Sequence, residues 1–156
     1  MAGDYIITSM PTSNRSALAK LIRACAAPNT PATLEVSAPL LAHPQLVAAF
    51  HRAGWFAVVV DRAPVFSKDT LLHAIYQSCE LPAYFGFNWD ALVDVLSDLP
   101  KPDAEHPPKG YALILKAPGL LQQRAPDDFT TFLNVIVEVN ARYAGEGRPF
   151  RLLLGV

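Results

Sequence analysis

Trp55-Phe56-Ala57-Val58-Val59-Val60 is an unbroken apolar run of aromatic and β-branched residues. A strand of that composition has no polar face to offer water, so it belongs in a sheet covered on both sides. Shorter runs of the same kind stand at Tyr5-Ile6-Ile7-Thr8, Thr33-Leu34-Glu35-Val36, Tyr111 to Lys116 and Phe150 to Leu154. Helical periodicity fills the intervals. Leu18, Leu21, Ile22 and Cys25 fall at i, i+3, i+4, i+7 behind a cap at Ser13 or Asn14. Pro44 at a first helical position and Gly54 just past the end bracket a helix carrying Leu46, Val47 and Phe50. Ser67 with Thr70 opens a helix bearing Leu71, Leu72, Ile75, Tyr76 and Cys79, and Asn88 caps another from Trp89 to about Leu99. Pro126 and Asp127-Asp128 open a last helix with Phe129, Phe132, Leu133, Ile136 and Tyr143, stopped by Gly145-Glu146-Gly147. Val135 to Val139 alternates as a strand would, but its flanks are helical. The stretch 100–110 holds four prolines and suits neither regular element.

Strands separated by helices need crossover connections, which make a mostly parallel sheet. The expected fold is three-layer α/β, with roughly three to five strands and helices on both faces. Residues 1–54 read as a βαβα-like extension that adds to the sheet and packs on the same domain as 55–156. Their four cations (Arg15, Lys20, Arg23, Arg52) against Asp4 and Glu35 suit a structural layer first and a second partner surface otherwise.

Composition narrows the function classes. At 156 residues the chain buries enough core to need no disulfide or metal staple, and 51% hydrophobic against 17% charged residues is a globular balance. Thirteen Lys and Arg against fourteen Asp and Glu leave a net charge of −1, with no footprint for wholesale nucleic-acid binding. No apolar run approaches the ~18 residues of a membrane helix, and the start lacks the basic end and apolar stretch of a secretory signal. With only Cys25 and Cys79, the expected compartment is the reduced cytoplasm. His43, His51, His73 and His106 are scattered without metal-spaced partners, and no phosphate loop, GxSxG or HExxH occurs. Gly145-x-Gly147 precedes a strand, the wrong order for a dinucleotide loop. No metal or cofactor is therefore expected. His73 reads as a surface or core residue before it reads as a base for Asp90 or Asp94, and Cys79 as a small core residue.

The most unusual segment is Leu81-Pro82-Ala83-Tyr84-Phe85-Gly86-Phe87-Asn88-Trp89-Asp90-Ala91-Leu92-Val93-Asp94-Val95-Leu96. Trp89, Leu92, Val95, Leu96 and Leu99 share one helical face, and Asp90, Asp94 and Asp98 line the opposite one. Like charges at i, i+4 disfavour an isolated helix by roughly 0.2–0.5 kcal/mol per pair. Between Glu80 and Glu105 stand six carboxylates and one cation, Lys101. A solvated helix face and a functional acidic face both account for that stripe. Tyr84, Phe85 and Phe87 set aromatics beside it, as interfaces do. Such a surface suits a basic cleft, where carboxylates stand in for substrate phosphates.

This segment resembles the hallmark of the barstar family, the intracellular inhibitors of small secreted bacterial ribonucleases. The shared pattern is Leu-Pro, two aromatics, Gly, then Asn-x-Asp-Ala-Leu and a second acid one turn later, and it extends over about 55–156. The resemblance implies a binding protein, not an enzyme. Its implied partner surface takes in Tyr84 as aromatic contact, Phe85 and Gly86 of the loop, Asn88 as the cap, and Trp89. Asp90 is the implied acid near the nuclease active site, and Asp94 the one that fills the phosphate-binding centre. Val93 stands where the best-known member has Trp, and the aromatic contact after the helix falls near Leu99. Arg142 stands where the family has an interface Glu. The implied function is that of a cytoplasmic, monomeric immunity protein against a small basic ribonuclease or related nuclease toxin, touching neither nucleic acid nor membrane. The alternative is a barstar-fold interaction module retargeted to a different toxin or regulatory partner. A small α/β hydrolase or transferase using the Asp pair ranks third, having no nucleophile, metal site or phosphate loop.

Overall fold

In the computed structural model, which describes residues 6–7, 14–60, 63–99 and 105–156, strands and helices alternate along the chain. They run β1 (Ile6–Ile7), α1 (Asn14–Ala26), β2 (Thr33–Val36), α2 (Ala38–Leu41), α3 (Leu46–Arg52) and β3 (Phe56–Val59), then α4 (Lys68–Ser78), α5 (Trp89–Leu96), β4 (Tyr111–Leu115), α6 (Gly119–Arg124), α7 (Pro126–Ala144) and β5 (Phe150–Gly155). The strands form one sheet in the order β1-β2-β5-β4-β3, and every pairing is parallel. In register, Thr33 lies beside Leu152, Leu152 beside Leu113, and Leu113 beside Val58.

The strand order explains the layering. From β1 through β2 to β3 the chain advances in one direction across the sheet, and from β3 through β4 to β5 it returns. Crossovers of a single hand must then place the later helices on the opposite face. The core divides accordingly. Leu34, Val36, Ala57, Ala112, Ile114 and Leu153 pack with residues of α1, α2 and α3. Leu113, Leu115, Leu152 and Leu154 pack with residues of α4 to α7. Every residue of β4 is buried, which is why its sequence carries no alternation. The sheet of five parallel strands between two helical layers is the fold the periodicity predicts.

One buried cation ties the two helical layers together at the central strand. Arg151 on β5 is 3% exposed. Its Nε donates to the Cys25 carbonyl at 2.9 Å and its Nη2 to the Ala27 carbonyl at 3.2 Å, both at the end of α1. Its Nη1 donates to Asn140 Oδ1 on α7 at 3.2 Å. The guanidinium thus satisfies carbonyls left open where a helix stops, at the helix end where positive charge is favoured.

Several boundaries differ from the sequence reading. α2 and α6, of four and six residues, are too short to show a 3.6-residue period. Pro44 lies in a turn, and α3 starts at Leu46 behind Gln45, whose N–H donates to His43 Nδ1 at 2.9 Å. α5 ends at Leu96, with Ser97 as its C-cap, so Asp98 stands in the following turn and not on the helix. Tyr5, Thr8, Ser13 and 100–104 lie outside the described residues.

Candidate functional site

α5 is held by its buried side. Leu92, Val93, Val95 and Leu96 are buried, and the helix lies against α7. Its N-terminus is set by Asn88, whose Oδ1 accepts the Ala91 N–H at 2.8 Å while its Nδ2 donates to the Gly86 carbonyl at 3.2 Å. That is an N-cap with a loop tether added. A Cβ at Gly86 would sit 3.0 Å from Asn88 Nδ2, so glycine leaves room for the tether. The C-terminal end is fastened by Tyr143, 1% exposed. Its hydroxyl donates to the Leu96 carbonyl at 2.7 Å and accepts the Leu99 N–H at 3.2 Å. Burial pushes the Tyr143 phenol far above its ordinary range, against a smaller opposing effect of the Leu99 N–H. The hydroxyl therefore keeps the proton it donates.

The loop before α5 is clamped by stacked rings. Phe85 is 4% exposed and packs on Phe87 at 4.8 Å and Tyr76 at 6.2 Å between centroids. Phe87, at φ 49°, stacks on the imidazole of His73 at 4.4 Å. Nδ1 of His73 lies 2.8 Å from the Asp69 carbonyl, which fixes that ring edge as the donor. With Phe85 and Phe87 turned inward, Tyr84 stands out at 80% exposure, the most exposed large apolar side chain among the described residues. Trp89, half-buried, stacks near Phe132 at 6.5 Å and carries Lys68 Nζ over its ring at 5.5 Å.

The ten expected partner-facing residues therefore separate by burial. Tyr84, Gly86, Asn88, Asp90, Asp94 and Arg142 are exposed, and Trp89 partly so. Phe85, Val93 and Leu99 are not: at 4%, 5% and 2% exposure they belong to the core, because packing against α4 and α7 claims their side chains. They shape the face without reaching it. His73 is placed by Asp69 and Phe87, and among the described residues no hydrogen bond or ion pair joins it to Asp90 or Asp94. The structure adds Glu138, Tyr143 and Lys68, which the sequence reading of the site left out, to Arg142, which it named. Glu138 and Arg142 on α7 join Asp94: Arg142 Nη1 lies 3.3 Å from Asp94 Oδ1, and its Nη2 3.4 Å from Glu138 Oε1. Tyr143 and Lys68 support the same helix at its two ends. The Arg142–Glu138 spacing of four was the available signal; nothing local tied either residue to Asp94.

Among the described residues no group of three or more His, Cys, Asp or Glu is placed to hold a metal, and no helix is long and apolar enough to cross a membrane. The family model described as Barstar (barnase inhibitor) matches residues 55–155, from the start of the unbroken apolar run to the end of the last strand. A search of curated proteins finds no match.

Proposed function

Because the chain belongs to the Barstar (barnase inhibitor) family, we propose that it binds a small basic ribonuclease and blocks its active site by occlusion. The loop 83–88 and α5 enter the cleft as one rigid piece. Asp90 and Asp94 occupy the positions of substrate phosphates and pair with the Arg, Lys or His groups that hold them. Tyr84 supplies an aromatic anchor beside the charges, the residue type enriched at such interfaces. The protein acts by occupancy inside the cell, one copy to one nuclease, and turns nothing over. The observation that carries this reading is the pair of exposed carboxylates, Asp90 and Asp94, one turn apart on a helix whose other side is locked into the core. A ligand built to displace phosphate needs its charges pre-placed, since ordering loose side chains on binding costs affinity.

The test is a titration into barnase, following RNA cleavage at low and moderate salt. Stoichiometric inhibition that weakens with salt is expected, with the Asp90→Ala/Asp94→Ala double variant weaker by at least about tenfold, or about 1.4 kcal/mol. Undiminished inhibition by a folded double variant would overturn the occlusion mechanism.

A further inference from the structure

Asp94 does not stand bare. Its carboxylate faces the Arg142 guanidinium at 3.3 Å, and the same guanidinium reaches Glu138 at 3.4 Å. The three groups form an acid–cation–acid row across α5 and α7, with side-chain exposures of 75%, 47% and 57%. Asp90, one turn earlier, has no ion pair among the described residues. The face offers a partner one open carboxylate and one carboxylate with a cation already beside it.

A cation brought to Asp94 arrives within reach of Arg142 as well. If the partner supplies positive charge only, the guanidinium is driven off Asp94 and left with Glu138, or stays and opposes the incoming cation in a drying interface. Like charges brought together without water are strongly unfavourable. If the partner also supplies an anion, Arg142 exchanges one carboxylate for another, and no charge is left unpaired. A guanidinium suits that exchange because its fork of donors serves two carboxylates at once.

Resting on the ribonuclease-inhibitor reading, we propose that Arg142 is the specificity-determining residue of this face. It favours a partner whose cleft carries a carboxylate within about 4 Å of the cation that meets Asp94, and it weakens, without abolishing, binding to partners that offer only positive charge there. The role belongs to Arg142 through its placement against Asp94, which is exposed and costs the fold little to change.

Barnase serves as the probe of a basic cleft. Inhibition constants are measured for the native chain, Arg142→Gln, Arg142→Glu, Asp94→Ala, and Asp94→Ala combined with Arg142→Gln, with thermal melts to show that each folds. Arg142→Gln is expected to tighten inhibition at least about tenfold, and Arg142→Glu further. Asp94→Ala is expected to cost more affinity in the Arg142→Gln background than in the native one, since the native carboxylate is already partly neutralised. If Arg142→Glu inhibits no better than the native chain while Asp94→Ala still weakens inhibition, this proposal is overturned and the ribonuclease reading stands. If no folded variant inhibits, the ribonuclease reading falls and the proposal falls with it.

Discussion

At the scale of single residues, the site depends on groups that never meet a partner. Tyr143 is the clearest of these, since one hydroxyl serves both the last carbonyl of α5 and the first N–H beyond its turn. Tyr143→Phe removes one oxygen and leaves a buried carbonyl and a buried N–H without partners. A loss of about 1–3 kcal/mol is expected, read as a lower urea midpoint at unchanged slope. The cysteines carry a pH signature. Burial raises both the Cys25 and Cys79 thiols from 9.0 to about 12, with Arg151 pulling Cys25 slightly back. The folded state thus holds its thiol protons where the unfolded chain releases them, and stability is whole below pH 9 and falls as pH rises toward 12. Urea melts at rising alkaline pH are expected to show that decline, flattened in a Cys25→Ala/Cys79→Ala variant. At neutral pH both thiols are expected to resist alkylation until the chain is unfolded.

At the scale of elements, α5 is eight residues long, too short to persist alone in water. It exists because Asn88 starts it, α7 covers it and Tyr143 ends it. Asn88→Ala removes the cap and the tether to Gly86 together. A cost of about 0.5–2 kcal/mol is expected, with faster amide exchange concentrated in 84–92. The helix end also separates two acids that share a spacing. Asp94 lies on the helix, whereas Asp98 lies in the turn after it. Asp98→Ala is therefore expected to leave barnase inhibition within about threefold, under about 0.7 kcal/mol, where Asp94→Ala weakens it. Equal losses from both would mean that the partner reads overall charge and not the helix face.

At the scale of the whole molecule, the net charge of −1 conceals two unlike surfaces. α1, α2 and α3 carry Arg15, Lys20, Arg23 and Arg52 and no acid. α5 and α7 carry Asp90, Asp94, Asp127, Asp128 and Glu138 against Arg142. A sheet between two helical layers keeps those charges on opposite sides. We propose that the same architecture makes the described segment 14–54 necessary to the fold. β2 pairs with β5, and the helices before β3 cover Trp55, Ala57, Ala112, Ile114 and Leu153. Burying a large apolar side chain contributes about 1.5–3 kcal/mol, so a fragment of 55–156 loses several such contributions at once. It is expected to bind a hydrophobic dye and to melt without a sharp transition, although the family match begins at residue 55. A cooperative melt of that fragment would show two separable units.

What the sequence determined by itself was whatever depends on neighbours within a few residues. Trp55 to Val60 announced a strand with apolar side chains on both faces, but not its place in the sheet. β3 is an edge strand whose Phe56, Val58 and Val59 are only half-buried, and the fully buried strand is β4. Asn88, Ser67 and Thr70 marked helix starts, since a cap is a bond to the residue three ahead. Asp90 and Asp94 could be placed on one side of α5 from the 3.6-residue period alone. Tertiary structure decided the rest. Phe85, Val93 and Leu99 turned inward because α4 and α7 lie over them, and no local rule distinguishes an aromatic bound for the core from one bound for a partner. Arg142 and Asp94, 48 positions apart, became neighbours only when α5 packed on α7. Periodicity reports which way a side chain points from its own helix; what it meets there depends on the packing of another helix, set by burial summed over the whole core.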